Sequence, residues 1–206
     1  MVCESNIDFI VTDSSNSELI NSSARLYMEH LSDNGFLSLF GRRFIQELFT
    51  DILREKLGFF IFALKDNAVC GFALASVDSE QIFKIITRKF LKYFKIILPR
   101  VFLNPIQIVP KLFETLFYVK KQNTGIKAEL VAIITDGNYR AKGMGTQIVE
   151  VLNKEFLKRG ICLYKVTVHD VKQKANSFYV KNSFKYSTSF NMYNLKWNMY
   201  INKLNG

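Results

Sequence analysis

Between residues 128 and 158 an apolar run, a glycine-bearing turn and an amphipathic segment follow one another without a break. Residues 128–135, AELVAIIT, predict a buried strand. Residues 136–139 predict a turn, and Arg140-Ala141-Lys142-Gly143-Met144-Gly145 opens a helix expected from about 144 to 158, with Gly160 as its stop. Such a strand–turn–helix places the chain among α/β folds. It also suggests chemistry. The first amides of a helix have no partner within it, and together with the helix dipole they attract phosphate oxygens. Gly143 and Gly145 let the backbone approach a pyrophosphate closely, and Arg140 and Lys142 add positive charge. The glycines do not match G-x-G-x-x-G, and no Gly-Lys-Ser/Thr ending follows, so neither a dinucleotide-binding turn nor an NTPase loop is indicated.

The other elements fall around this unit. Alternation over 6–12 predicts a first strand, and Ser15-Asn16-Ser17-Glu18 reads as a capping box opening a helix to about Leu31. Phe44, Ile45, Leu48, Phe49, Ile52 and Leu53 keep helical spacing, with Gly58 after them. Two apolar runs at 59–64 and 68–77, joined by Lys65-Asp66-Asn67, predict a hairpin. After residue 160, a strand at 161–168, a helix at 171–181 and strands at 184–193 and 196–204 complete the order β-α-α-β-β-(helical insertion)-β-α-β-α-β-β. At 206 residues the chain has the size of one domain, and 1–206 is expected to be one.

The insertion spans residues 83–121. It holds nine Lys/Arg (Lys84, Arg88, Lys89, Lys92, Lys95, Arg100, Lys111, Lys120, Lys121) against the single acid Glu114, hence +8 of the chain's net +10. Phe83, Ile86, Phe90, Phe94 and Ile97 are expected on one helical face, with Lys84, Arg88, Lys92 and Lys95 on another. Pro99, Pro105 and Pro110 are expected to break it into at least two pieces. Scattered Cys3, Cys70 and Cys162 and the N-terminal sequence suggest reduced thiols, no secretion and a cytoplasmic protein. Two histidines and three separated cysteines offer no zinc spacing, and no run of roughly 18 uncharged apolar residues indicates a spanning helix.

Tyr139–Gly145, YRAKGMG, is similar to the acetyl-CoA signature of the GNAT acetyltransferases, Arg/Gln-x-x-Gly-x-Gly/Ala. Lys174–Lys185, KANSFYVKNSFK, resembles the family's second motif at Ala175, Phe178, Tyr179 and Phe184. Two positions depart from it: Lys172 stands where the family usually has Asn, and Ser183 where it has Gly. The resemblance implies a mixed, mostly antiparallel sheet of six or seven strands, with splayed central strands and helices on both faces. It implies direct transfer of acetyl from acetyl-CoA to an amine in a ternary complex. Arg140, Ala141, Lys142, Gly143, Met144, Gly145 and Thr146 would hold the pyrophosphate, and the main chain of Ile133, Ile134 and Thr135 the pantetheine arm. Lys172, Ala175, Asn176 and Phe178 would complete the cofactor contacts. Tyr179 is the expected general acid towards the leaving thiolate. Glu129 is the first candidate for the base that takes the amine proton, through water, and His169 the second.

The acceptor is expected to be a small amine. An anionic one, such as an amino sugar on a nucleotide diphosphate, would suit a basic insertion, and the chain loosely resembles acetyltransferases of bacterial surface-polysaccharide pathways. Basic and aromatic residues together also suit contact with a membrane surface through 83–121, and an amphipathic cover helix with a solvated lysine face is the third reading. Specific nucleic-acid binding is not expected, because no reading motif accompanies the charge. A CoA-binding scaffold without catalysis is the remaining alternative. The assembly is expected to be a monomer or homodimer.

Overall fold

The computed structural model describes residues 7–31, 36–106, 108–110, 125–139, 143–192 and 195–205. Arg140, Ala141 and Lys142, three of the expected phosphate-loop residues, lie outside that set. So do Lys111, Lys120, Lys121 and Tyr193.

The strands are β1 (Asp8–Thr12), β2 (Gly58–Lys65), β3 (Ala68–Ser76), β4 (Glu129–Thr135), β5 (Leu163–His169), β6 (Lys185–Met192) and β7 (Leu195–Lys203). The helices are α1 (Ser17–Leu31), α2 (Arg42–Arg54), α3 (Ser79–Arg88), α4 (Phe90–Leu103), α5 (Met144–Lys158) and α6 (Gln173–Lys181). One sheet of order β1-β2-β3-β4-β5-β7-β6 joins the seven strands. Every neighbouring pair is antiparallel except β4 and β5. A parallel pair needs a long crossover, and α5 supplies it.

Both faces of the sheet are covered, which explains the unbroken apolar run Phe59-Phe60-Ile61-Phe62-Ala63 in β2. Phe60 and Phe62 point into the core beneath α1, α2, α3 and α4. Phe59 and Ile61 point into the core beneath α5 and α6. The hairpin between β2 and β3 turns on Asp66 and Asn67, both left-handed at φ 50° and 62°. Those two angles twist a two-residue turn to match the strands.

Two expectations change. The cap of α1 is Asn16 rather than Ser15: its carboxamide oxygen accepts from the amides of Glu18 (2.9 Å) and Leu19 (3.2 Å). The larger change lies in the insertion. Its helices break at Lys89 and, as the prolines suggest, at Asn104 just before Pro105, whereas Pro99 sits inside α4. The break at Lys89 rotates α4 against the pattern expected of a continuous helix. Ile97 is buried and Ile86 packs on the core, but Phe90 and Phe94 stand in solvent.

The cations turn inward instead. Lys89 lies 2.9 Å from both Asp51 and Glu55. Lys92 lies 2.7 Å from Asp51 and 2.8 Å from Glu47, and Arg88 pairs with Glu55. The Tyr93 hydroxyl donates to Asp51 at 2.8 Å. The Asp51 side chain is only 2% exposed. Burial alone would raise its carboxyl pKa, but hydrogen bonds from Lys92, Lys89 and Tyr93 outweigh that and hold it below the usual carboxylate range. These contacts clamp the insertion onto α2.

Candidate active site

The parallel strands at the centre of the sheet barely touch. Glu129 opposite Lys165 is the one ladder pair between β4 and β5, supported by the Lys165 amide donating to the Ala128 carbonyl at 3.0 Å. Towards Thr135 and His169 the strands share no further pair. They form a wedge, closed at Glu129 and open at the carboxyl ends.

A bulge shapes the β4 side. The register with β3 passes from Leu74 opposite Ala132 to Ala75 opposite Leu130, so Val131 is the extra residue. Val131 and Ala132 consequently face the same core. Beyond the bulge, the Asp136 amide donates to the Cys70 carbonyl at 2.8 Å. Antiparallel alternation then commits the main chain of Ile134 to β3 and turns that of Ile133 and Thr135 towards β5. Of the three residues expected along the pantetheine arm, Ile133 and Thr135 therefore face the wedge, and Ile134 faces away.

Helix α5 begins beside the open end. Gly71, opposite Thr135, leaves room for Met144: a Cβ on Gly71 would lie 3.0 Å from the Met144 sulfur. Met144 is buried and anchors the helix start, while Thr146 is exposed. Gly143 caps the helix at φ 83°, a left-handed conformation that few other residues adopt without strain. A Cβ there would meet nothing among the described residues, and the backbone angle requires this glycine. Gly145 differs, because a Cβ on it would stand 3.1 Å from the Phe178 ring. The two motifs thus meet in space, Phe178 of α6 resting on the first turn of α5.

Tyr179 follows Phe178 and is buried, its ring 5.3 Å from Phe184 and 6.1 Å from Tyr200. Burial pushes its hydroxyl pKa well above the ordinary phenol value. Among the described residues that hydroxyl has no hydrogen-bond partner. It belongs to the core under α5 and α6, with Leu130, Val166 and Val168. Glu129, Lys165 and Thr167 alternate with those residues and take the opposite face of the sheet. The Glu129 carboxylate accepts from the Thr167 hydroxyl at 3.3 Å and lies 3.8 Å from the Lys165 amine. Phenol and carboxylate therefore lie on opposite faces of the sheet.

His169 stands at the open end, roughly 13 Å along β5 from Lys165 at the usual strand rise. It is buried, packs edge-on against Trp197 at 5.4 Å, and its Nδ1 has no partner among the described residues. The Lys172 amide closes the turn onto the His169 carbonyl at 3.0 Å, and Ala175 packs into the α5/α6 core. The Asn176 side chain is engaged by the protein. Its amide reaches the carbonyls of His169 (3.0 Å), Asp170 (3.2 Å) and Lys172 (2.9 Å). Its oxygen accepts from Asn198 (3.0 Å) and Tyr200 (2.8 Å). This network fastens the turn before α6 to β7. Lys165, Thr167 and the Val131 bulge carried no sequence motif; only the pairing of β4 with β5 makes them neighbours of Glu129.

A seven-stranded sheet split by a parallel wedge, with a helix start at its mouth, is an α/β acyltransferase architecture. Residues 25–184 match the model of the Acetyltransferase (GNAT) family, and the chain belongs to that family. Solved structures share the fold at low identity. A protein from Pyrococcus horikoshii is 13% identical, with a TM-score of 0.62 over 98% of this chain and 100% of that one. An N-acetyltransferase from Staphylococcus aureus is 12% identical (TM-score 0.59; 96% and 99% covered). The PaiA N-acetyltransferase from Thermoplasma acidophilum, solved in complex with coenzyme A, is 15% identical (TM-score 0.54; 96% and 99% covered). No curated protein matches the chain.

Proposed function

We propose that this protein transfers an acetyl group from acetyl-CoA to a small primary amine. The observation that carries the reading is the wedge: β4 and β5 meet only at Glu129 and Lys165 and open towards the first turn of α5. A slender acyl-bearing arm fits that gap, and a pyrophosphate fits the helix start beside it. Acetyl-CoA supplies the acetyl group as a thioester. Helix-start amides at Met144, Gly145 and Thr146 hold the phosphates, with Arg140, Ala141, Lys142 and Gly143 completing the loop. The Ile133 main chain aligns the arm, and a β4 amide polarises the carbonyl.

Glu129 accepts the amine proton through a water, and Tyr179 donates its proton to the departing sulfur from the other face. One amide bond forms as one thioester C–S bond breaks, and solvent restores the tyrosine proton. Burial suits Tyr179 to this role, because it keeps the phenol protonated across the working pH range. His169 is the second candidate for the base.

The anionic acceptor drew on the charge of residues 83–121. Arg88, Lys89 and Lys92 are occupied by Glu47, Asp51 and Glu55, which removes three of the nine cations from that role. A nucleotide-linked amino sugar therefore stays within the acceptor class without defining it. The test is release of free thiol from acetyl-CoA across amino sugars, polyamines and peptides. Release that rises with one amine supports the reading, and release indifferent to every amine contradicts it.

A further inference from the structure

We propose that the outward face of α4 docks on an anionic bilayer surface. The side of α4 turned to the protein holds Tyr93 and Ile97, both buried, beside Lys92 reaching Asp51. Its solvent side is apolar: Leu91 is 73% exposed, Phe94 43% and Phe102 79%. These residues are three, eight and eleven apart, so they share one stripe. Phe90, stacked on Phe94 at 5.4 Å, and Leu103 widen it. Single exposed apolar residues are ordinary, but a continuous bulky stripe on one helix marks an interaction surface.

Charge selects the occupant. Lys95 lies within the stripe, and Lys84 is on α3, the helix that precedes α4. Both are exposed, and among the described residues neither has an ion-pair partner. With Arg88, Lys89 and Lys92 taken up by the α2 carboxylates, Lys84, Lys95 and Arg100 are the described cations of the segment without an ion pair, in a chain of net charge +10. A second copy would meet this face with charge of the same sign, whereas an anionic lipid surface supplies the opposite one. Phenylalanine and leucine beside lysine, with few hydrogen-bonding groups to specify a protein partner, suit the headgroup–acyl boundary. The 14 residues of α4 rise about 21 Å, short of the roughly 30 Å hydrocarbon core, so the helix lies on the surface. No helix among the described residues is long and apolar enough to cross a membrane.

The insertion is rooted away from the wedge mouth. The insertion departs and returns at the closed end of β4, where the Ser79 amide donates to the Lys127 carbonyl at 2.9 Å. The start of α5 is at the other end.

The experiment is flotation of the full chain with vesicles of phosphatidylglycerol and phosphatidylcholine, about one to two, against pure phosphatidylcholine. The wild type should bind the anionic vesicles at least about tenfold more tightly, with loss in salt. Phe94→Ser/Phe102→Ser and Lys84→Glu/Lys95→Glu should each reduce binding about tenfold while keeping the wild-type melting temperature, since all four side chains are exposed. Equal binding to both vesicles, or wild-type binding by the Phe94→Ser/Phe102→Ser protein, overturns the proposal. A lipid-independent dimer dispersed by that same variant would give the face to a second copy and overturn it equally.

Discussion

Asp51 and Glu129 both face lysine, and they are held in different ways. Asp51, in the α2–α4 interface, has each oxygen on an ammonium group at 2.9 Å or closer and a phenol besides. Glu129, at the apex of the wedge, has one hydroxyl at 3.3 Å and an amine no nearer than 3.8 Å. A carboxylate whose lone pairs are saturated by charged donors has little capacity left for a proton, and its worth is structural. One held loosely beside a gap can accept a proton and return it. The sheet needs the clamp on one side of its core and the looseness at its centre.

The largest expected effect separates the two directly. Glu129→Gln keeps the shape and the Thr167 contact but removes the basicity. It should lower kcat per folded molecule about 100-fold while leaving the KM for acetyl-CoA within about twofold. Loss of stability with full turnover per folded molecule would reverse the comparison. Asp51→Asn should do the opposite, costing about 2 kcal/mol of stability in chemical denaturation, because Lys89 and Lys92 lose their shared counter-charge while partly exposed. Its kcat per folded molecule should match the wild type.

The same contrast appears in pH dependence. The Asp51 and Glu55 carboxyls have lower pKa values folded than unfolded, Asp51 because charged hydrogen bonds outweigh burial and Glu55 chiefly through its bond to Lys89. Their contribution is complete above the ordinary carboxylate range near about 4 and is lost as pH falls through it towards the lowered values. Wild-type stability should decline over that window, and Asp51→Asn should flatten the slope.

Tyr179→Phe sharpens the catalytic side, with turnover at least about tenfold slower and CoA affinity nearly unchanged. The smallest effect concerns Ser183, where the family's glycine is absent. It holds φ 69°, so Ser183→Gly should stabilise the protein by up to about 1 kcal/mol.

Much of this was legible in the sequence, for identifiable reasons. Strong periodicity placed the strands and the α-helices outside the insertion within a few residues, and the strand–turn–helix unit led to Gly143 and the wedge mouth. The insertion was read correctly as helical and wrongly as to its faces. A continuous helical wheel from Phe83 to Ile97 assumes no break, and one break at Lys89 is enough to send Phe94 outward. A signal for the true arrangement was present in α2 and the residue that ends it: Glu47, Asp51 and Glu55, spaced by four, form an acidic stripe that demands a cationic neighbour. The capping residue shifted by one because Asn16 offers its carboxamide where Ser15 was expected. Lys165 and Thr167 could not be connected to Glu129, since the register between parallel strands is a tertiary property that neither strand encodes alone.

Calorimetric titration of the purified protein with acetyl-CoA, beside Gly143→Val, tests the wedge most directly. The left-handed φ of Gly143 is closed to valine, so the variant should distort the phosphate loop. Saturable binding of micromolar strength in the wild type, weakened at least about tenfold in the variant, is the predicted result. No binding by the wild type, or equal binding by both proteins, would contradict the placement of the cofactor between β4 and β5.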